Sequence, residues 1–380
     1  MSYDVTLLGA TGFAGRLTAE YLAAHAPSGF RWAIAGRTPA TLESLQADLS
    51  ALGNTPETVR VDVTDHASVR AAAEQTKVLV STVGPYIEYG EAAVAACAET
   101  GADYCDLTGE PEFVDRMWLS YDALARRTGA RLVHACGFDS VPYDLGAYYT
   151  VAQLPDDVPI TLRGYVTASA GFSGGTYRSA VHGMSRVRQS AAAGSQRRAR
   201  EARPTERRVR SLPERPVRGP DGHGWGLPMP TLDPAIVRRS ARALDAYGPA
   251  FAYGQYALFK RLPVAVGTAA GLGALLATSQ VPPLRNALLR LRQPGDGPSP
   301  QQRAKSWYRI RFVGEADGTT VTTQVSGGDP GYDETARILG ESALCLAGDD
   351  LVERAGQLTT AVAMGEQLLR RLDFAETLSQ

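Results

Sequence analysis

Lysine is almost missing from this chain: Lys77, Lys260 and Lys305 are the only three among 39 basic Lys and Arg residues. Arginine therefore carries nearly all of the positive charge. Cysteine is scarce as well. Cys97, Cys105, Cys136 and Cys345 form no C-x-x-C pair and no metal-ligand spacing with the five histidines. That argues against a zinc site and a disulfide framework, and fits reduced thiols in a core. No apolar leader with a basic start precedes the first apolar run, since Tyr3-Asp4 lead straight into Val5. Export by the usual route is not expected, and a cytoplasmic location is. The pattern also offers no nucleic-acid-binding module, so no nucleic-acid partner is expected.

What is present is a globular composition. With 44% hydrophobic residues over 380 positions, the chain exceeds one ordinary core and points to two domains. The net charge of −1 hides an uneven distribution. Residues 1–150 hold 10 Lys/Arg against 19 Asp/Glu, whereas 186–218 hold 11 Arg against 3 Glu. The basic block reads equally as a solvated Arg-rich loop and as a surface for anionic lipid or an acidic protein.

Short apolar runs alternate with helix-forming stretches through residues 1–150. The runs VTLLG (5–9), WAIAG (32–36), TVRVDV (58–63), VLVSTVG (78–84), DYCDL (103–107) and RLVHACG (131–137) are uninterrupted and bounded by Gly, Asp or Thr. Strands covered on both faces look like this, and their alternation with helices predicts a Rossmann-type, doubly wound parallel sheet of the α/β class. From 151 to 330 the pattern changes. ITLRGYVTASAG (160–171) and WYRIRFVGEADGTTVTTQVSG (307–327) alternate with period two, the latter turning at Asp317-Gly318. They predict a second α+β domain with a mainly antiparallel sheet, and a homodimer through that sheet is one arrangement compatible with it. PVRGPDGHGWGLPMP (216–230) reads as an extended surface loop, and 331–380 as helices packing back on the first domain. Residues 262–281, LPVAVGTAAGLGALLATSQV, contain no charge. Rich in Ala and Gly, they make a poor spanning helix. A buried helix, the wall of an apolar channel and an interfacial segment with basic flanks all remain open.

The first strand-to-helix junction carries three glycines three residues apart. Gly9 ends the strand, Gly12 opens the helix and Gly15 lies one turn in. A pyrophosphate at a helix N-terminus is held by unpaired N–H groups and the helix dipole, and needs close approach to a backbone without β-carbons. Gly9, Ala10, Thr11, Gly12, Phe13 and Gly15 are the expected binding turn, with Gly15 serving helix–strand packing. The second strand ends in AGRT, with Arg37 where an NAD-binding domain has a carboxylate. A guanidinium can hold a 2′-phosphate with two charge-assisted hydrogen bonds, so Arg37 and Thr38 predict NADP(H). Asp62 and Val63 are expected beside the adenine, and Thr82, Val83, Gly84 and Pro85 toward the nicotinamide.

GATGFAGRLTAEYL (9–22), AGRT (35–38), VSTVGPYIEYGEAAVAAC (80–97), YCDLTGE (104–110), HACGFDSVPYDLG (134–146), SGGTYRS (173–179) and DPGYDETARILGESALCLA (329–347) together resemble the saccharopine dehydrogenase-like oxidoreductases. Within them the closest likeness is to the trans-acting enoyl reductases of actinobacterial lipid biosynthesis. The resemblance implies NADPH-dependent reduction of an α,β-unsaturated acyl thioester on the acyl-carrier domain of a polyketide synthase, or of a lipid acyl chain. It also implies work at the inner face of the plasma membrane. Two other readings stand beside it: a saccharopine-like amino-acid dehydrogenase acting at a C–N bond, and a membrane-surface scaffold with a vestigial nucleotide domain. As proton donors the sequence offers Tyr86 first, then His134 and Tyr177. Asp106, Glu110, Asp139 and Ser140 also fall near strand ends. For His134 a hydrogen-bonded strand-end role competes, and for Asp139-Ser140 a helix cap. Backbone N–H groups of Ser173–Thr176 are candidates for holding a thioester oxyanion.

Overall fold

The computed structural model describes residues 1–169, 174–202, 207–290 and 298–379, and of 174–179 the backbone alone. Its strands begin with β1 (Tyr3–Leu8), β2 (Trp32–Gly36), β3 (Glu57–Arg60), β4 (Thr76–Ser81), β5 (Asp103–Asp106) and β6 (Arg131–Val133). The middle of the chain supplies β7 (Ile160–Ser169), β8 (Arg208–Ser211), β9 (Val217–Arg218), β10 (Trp225–Pro228), β11 (Ala250–Phe259), β12 (Trp307–Ala316) and β13 (Thr319–Gly327). Two late strands follow, β14 (Gly356–Leu358) and β15 (Ala375–Ser379).

The chain divides into two units, each discontinuous in sequence. The first comprises Met1–Phe138, Arg188–Ala199 and Gly331–Leu372. Its sheet has the order β14-β6-β5-β4-β1-β2-β3, every pair parallel. The apolar runs form strands because helices cover both faces: Val5, Leu7, Ile34, Val78, Leu79 and Val80 are fully buried. Burying side chains of this size stabilises by roughly 1.5–3 kcal/mol each. β3 and β6 stop earlier than their apolar runs. After Val133 the chain leaves the sheet, since Ala135 takes φ 59 and its N–H donates to the Asp106 carboxylate at 2.9 Å. The Asp333–Gly348 helix lies beside the Phe13–His25 helix, where Gly340 leaves room for the Tyr21 ring and Tyr21 donates to Glu341 at 2.6 Å.

The second unit comprises Asp139–Val187, Arg200–Pro330 and the residues from Asp373. Its sheet runs β15-β13-β12-β7-β11-β10-β9, with β8 also beside β11. β7 and β8 pair with β11 in parallel, and the other pairs are antiparallel. The β12–β13 turn falls at Asp317-Gly318, both with positive φ (44 and 79). The Val141–Val151 helix, placed with the first domain by the sequence pattern, belongs to this unit. A β-carbon on its Gly146 would lie 2.7 Å from Phe312 Cζ, and Thr150 shares a 2.6 Å hydrogen bond with Thr323. The boundary is accordingly at 138/139 rather than 150, and β15 returns the chain end to the second sheet. Residues 216–230 are not a plain loop either. They contribute β9 and β10, which Gly222 and Gly224 connect at positive φ.

Much of the basic block is structural. The Val187–Arg200 helix buries Arg197 in a 3.0 Å ion pair with Asp115, and Arg207 donates to the Ala241 and Leu244 carbonyls at 3.1 and 2.6 Å.

Candidate cofactor site and buried polar clusters

In a doubly wound sheet the ligand crevice opens where strand order reverses, here between β1 and β4. Gly9 sits at that point with φ +80. A β-carbon on it would come within 2.7 Å of Val83 Cγ2 and 2.9 Å of Thr82 Oγ1. Thr82 donates its hydroxyl to the Leu8 carbonyl at 3.0 Å and so ties the ends of β1 and β4 together. Gly15 faces the same junction, and its β-carbon would drive into the Gly9 carbonyl. Gly9 and Gly15 are thus required by the protein's own packing. Gly12 differs: it is exposed, with extended backbone (φ −73, ψ 167), and its N–H donates to Gly9 O at 2.9 Å.

The helix that Gly12 opens has no side-chain cap and no acid in its first turn. That is the electrostatic form of an anion site. Ala10 is buried beneath the turn and Thr11 is exposed on it, while the Phe13 ring packs edge-on to Tyr332 at 4.8 Å. At the end of β2, Arg37 is exposed and makes no hydrogen bond or ion pair among the described residues. Thr38 is the N-cap of the Pro39–Leu49 helix, its side chain making no capping bond. Asp62 accepts from Thr64 N at 3.0 Å and Thr64 Oγ1 at 2.7 Å, which holds its carboxyl below the usual range with help from Arg37 and Arg60. Val63 is half-buried beside it.

Arg60 was not singled out from sequence. It is exposed, its side chain makes no hydrogen bond or ion pair among the described residues, and it pairs in register with Gly36, next to Arg37. The readable signal was an arginine ending the neighbouring parallel strand. The bare helix terminus, the enforced glycines and two uncommitted guanidinium groups fit a dinucleotide with a 2′-phosphate. When bound, NADP(H) would be held by the Gly9–Phe13 turn and by Arg37 and Arg60.

The catalytic candidates fare differently. Tyr86 is buried, and its hydroxyl donates to Ser81 O at 2.9 Å while accepting from Leu107 N at 3.1 Å. Burial, with Asp106 nearby, pushes its pKa well up. This hydroxyl is a strut between the ends of β4 and β5, which corrects its assignment as proton donor. Glu110 accepts from the N–H groups of Tyr86 and Ile87, both at 3.0 Å, and so caps the short Tyr86–Tyr89 helix from outside. Val83, Gly84 and Pro85 run from β4 into that helix, with Gly84 exposed.

His134 is also withdrawn from solvent. Its Nδ1 lies 2.7 Å from Asp106 Oδ2, in a cluster that adds Tyr104 OH at 3.0 Å and the N–H groups of Thr108 and Ala135 at 3.0 and 2.9 Å. The rings of Phe113 and Tyr104 enclose it. Its side chain is 1% exposed, Nδ1 ties β5 to β6 through Asp106, and Nε2 has no hydrogen-bond partner among the described residues. The backbone of Tyr177 belongs to the Gly174–Ser185 helix, while its side chain lies outside the described residues, as does Ser173 of the proposed oxyanion turn.

The second unit holds a polar cluster that the sequence did not disclose. Asp233, first residue of the Asp233–Ala243 helix, is buried and accepts from Thr231 Oγ1 at 2.7 Å and Gln255 Nε2 at 2.9 Å. Gln255 in turn accepts from Tyr253 at 3.1 Å. Burial pushes the Asp233 carboxyl up to about 7, and the nearby negative charge of Asp139 adds to this. Asp139 itself is exposed. A carboxyl with the value of Asp233 gives or takes a proton near neutral pH. Before Pro234, Asp233 resembles any helix-opening residue, and only the fold brings Gln255 and Asp139 toward it.

A family model of the saccharopine dehydrogenase NADP-binding domain matches residues 5–133. The first unit is therefore the NADP-binding part of an oxidoreductase, with NADP(H) as its cofactor. A Mycobacterium tuberculosis protein, named provisionally as a trans-acting enoyl reductase, is 38% identical over 98% of this chain and 96% of its own length. Two proteins named trans-acting enoyl reductase, from Mycobacterium ulcerans and Mycobacterium bovis, are 33% and 32% identical over 97% and 98% of this chain and 95% and 96% of their own. The chain belongs to the trans-acting enoyl reductase family of the saccharopine dehydrogenase-like oxidoreductases. Apo saccharopine dehydrogenase (L-Glu forming) from Saccharomyces cerevisiae shares its fold over 99% of both chains, with a TM-score of 0.58 and 13% identity.

Proposed function

We propose that this NADPH-dependent oxidoreductase reduces the double bond of an α,β-unsaturated acyl thioester presented by the acyl-carrier domain of a polyketide synthase. The product would be an acyl chain for lipid or glycolipid synthesis at the cytoplasmic face of the plasma membrane. The observation that carries the reading is the near full-length likeness to relatives named for this activity. NADPH supplies the hydride that the β-carbon receives. The Gly9–Phe13 turn and Arg37 bind and orient the cofactor. The α-carbon receives a proton, so the double bond takes up one hydride and one proton in all.

Purified protein tests the reading when given NADPH and a long-chain 2-enoyl thioester, with loss of nicotinamide absorbance followed. Oxidation is expected with the thioester, and none with 2-oxoglutarate plus lysine. The reverse pattern would replace the enoyl reductase by an amino-acid dehydrogenase.

A further inference from the structure

Most helices of this protein bury a face; the Leu262–Ser279 helix does not. Only Ala265 and Ser279, near its ends, are buried. Every residue from Val266 to Ala274 is exposed, which is about two and a half turns at 3.6 residues per turn. Val264, Val266, Leu272 and Leu276 are 39–57% exposed. A β-carbon on Gly267, Gly271 or Gly273 would meet nothing within 4 Å. Glycine costs a helix interior about 1 kcal/mol relative to alanine, and at these three positions no close packing offsets it. An uncharged helix exposed through its middle turns has no polar face for water there and is apolar on more than the single stripe a protein groove would cover.

The topology limits how such a helix can meet a membrane. It leaves the sheet after Phe259 of β11, and the chain returns at Trp307 of β12. β11 runs parallel to β7 and β12 antiparallel to it, with Ala257 opposite Val166 and Tyr308 opposite Ala168. The excursion therefore begins and ends at the same end of one sheet. A single crossing would put β11 and β12 on opposite sides of a bilayer, although both are hydrogen-bonded to β7. A return crossing needs a second uncharged run of about 20 residues. Residues 282–306 contain Arg285, Arg290, Arg292, Asp296, Arg303 and Lys305 and cannot supply one.

The same sheet end is built for a lipid–water boundary. Trp307 is exposed there, and Trp225, paired with Phe259, lies under the Arg218 guanidinium at 4.1 Å. Between Lys260 and Arg309 the sequence holds eight Lys/Arg and one acid. Tryptophan and arginine at the ends of an apolar element mark the headgroup level, and the positive excess matches an anionic surface.

We infer that the Leu262–Ser279 helix embeds in one leaflet of an anionic phospholipid bilayer, with Trp225, Trp307, Lys260 and Arg261 at the headgroups, as a monotopic attachment of the second unit. The inference does not rest on the reductase reading, since partition and cofactor binding are read separately.

The test is cosedimentation of the full chain with vesicles of phosphatidylcholine, with and without phosphatidylglycerol. Nicotinamide fluorescence reports NADPH binding in parallel. Wild type should pellet with the anionic vesicles. Val266→Asp/Leu272→Asp should lower partition by at least about tenfold, since a carboxylate in hydrocarbon is strongly unfavourable. Its NADPH binding should be unchanged, because both side chains are exposed and belong to the second unit, apart from the cofactor-binding one. Lys260→Glu/Arg261→Glu should weaken the preference for phosphatidylglycerol. Wild type that binds NADPH but stays in the supernatant would overturn the inference, as would pelleting indifferent to the two aspartates. A solution dimer broken by those aspartates, without vesicle binding, would assign the face to a second copy of the chain instead.

Discussion

Replacing Arg37 by alanine probes the cofactor site most directly. Its guanidinium is exposed and makes no hydrogen bond or ion pair among the described residues, so its removal leaves no buried group unpaired and folding should be unaffected. Asp62 lies within electrostatic reach of it and of Arg60. A hydrogen bond to a charged group contributes about 1.5–3 kcal/mol, and solvent at an exposed site favours the lower end. Loss of roughly 1.5–2 kcal/mol corresponds to NADPH binding about 10- to 30-fold weaker. NADH, lacking the 2′-phosphate, should bind Arg37→Ala as it binds wild type. Arg60→Ala should act in the same direction but less, and the double variant should bind the two cofactors alike. The assay is titration by nicotinamide fluorescence, repeated at raised salt, where the NADPH preference of wild type should shrink. Equal weakening of NADPH and NADH would mean that Arg37 shapes the loop rather than binding the phosphate. An unchanged NADPH preference would refute the site altogether.

Two further outcomes follow from the same geometry. Tyr86→Phe leaves Leu107 N without its acceptor, so it should cost about 1–3 kcal/mol in urea unfolding while preserving turnover; lost turnover with unchanged stability would restore the hydroxyl as a proton donor. Asp233 has a folded-state pKa of about 7, above its ordinary 3.8, so the native state binds the extra proton between these values. Its contribution to stability is full below about 3.8 and is lost as pH rises through about 7, on the order of a few kcal/mol. Asp233→Asn should therefore flatten the decline in unfolding free energy between pH 4 and 8, and a parallel curve would place the titration elsewhere.

Local patterns carried far in this sequence, because some features depend only on neighbouring residues. Uninterrupted apolar runs between helical stretches define a parallel sheet wherever they occur, and the glycine spacing at Gly9, Gly12 and Gly15 belongs to the first crossover. Asp317-Gly318 likewise announces its hairpin without help from the rest of the chain. Glycine-224 shows the limit: a Pro/Gly-rich passage reads as loop until β11 supplies the carbonyls and N–H groups that turn 225–228 into a strand.

Sequence by itself determined the fold class and NADP(H) as the cofactor, since the alternation of strands and helices is a local pattern. Only the tertiary structure decided which polar groups are spent. Tyr86 and His134 looked equally available because they follow strands; the Tyr86 hydroxyl is taken up by Ser81 and Leu107, and of the His134 ring only Nδ1 is taken up, by Asp106. Asp233 looked like a helix start and became a raised carboxyl once the fold buried it against Gln255. Whether residues 262–281 were core or surface was equally undecidable from their apolar composition, since burial is fixed by what packs against a helix. Among the described residues, little covers this helix between Val266 and Ala274.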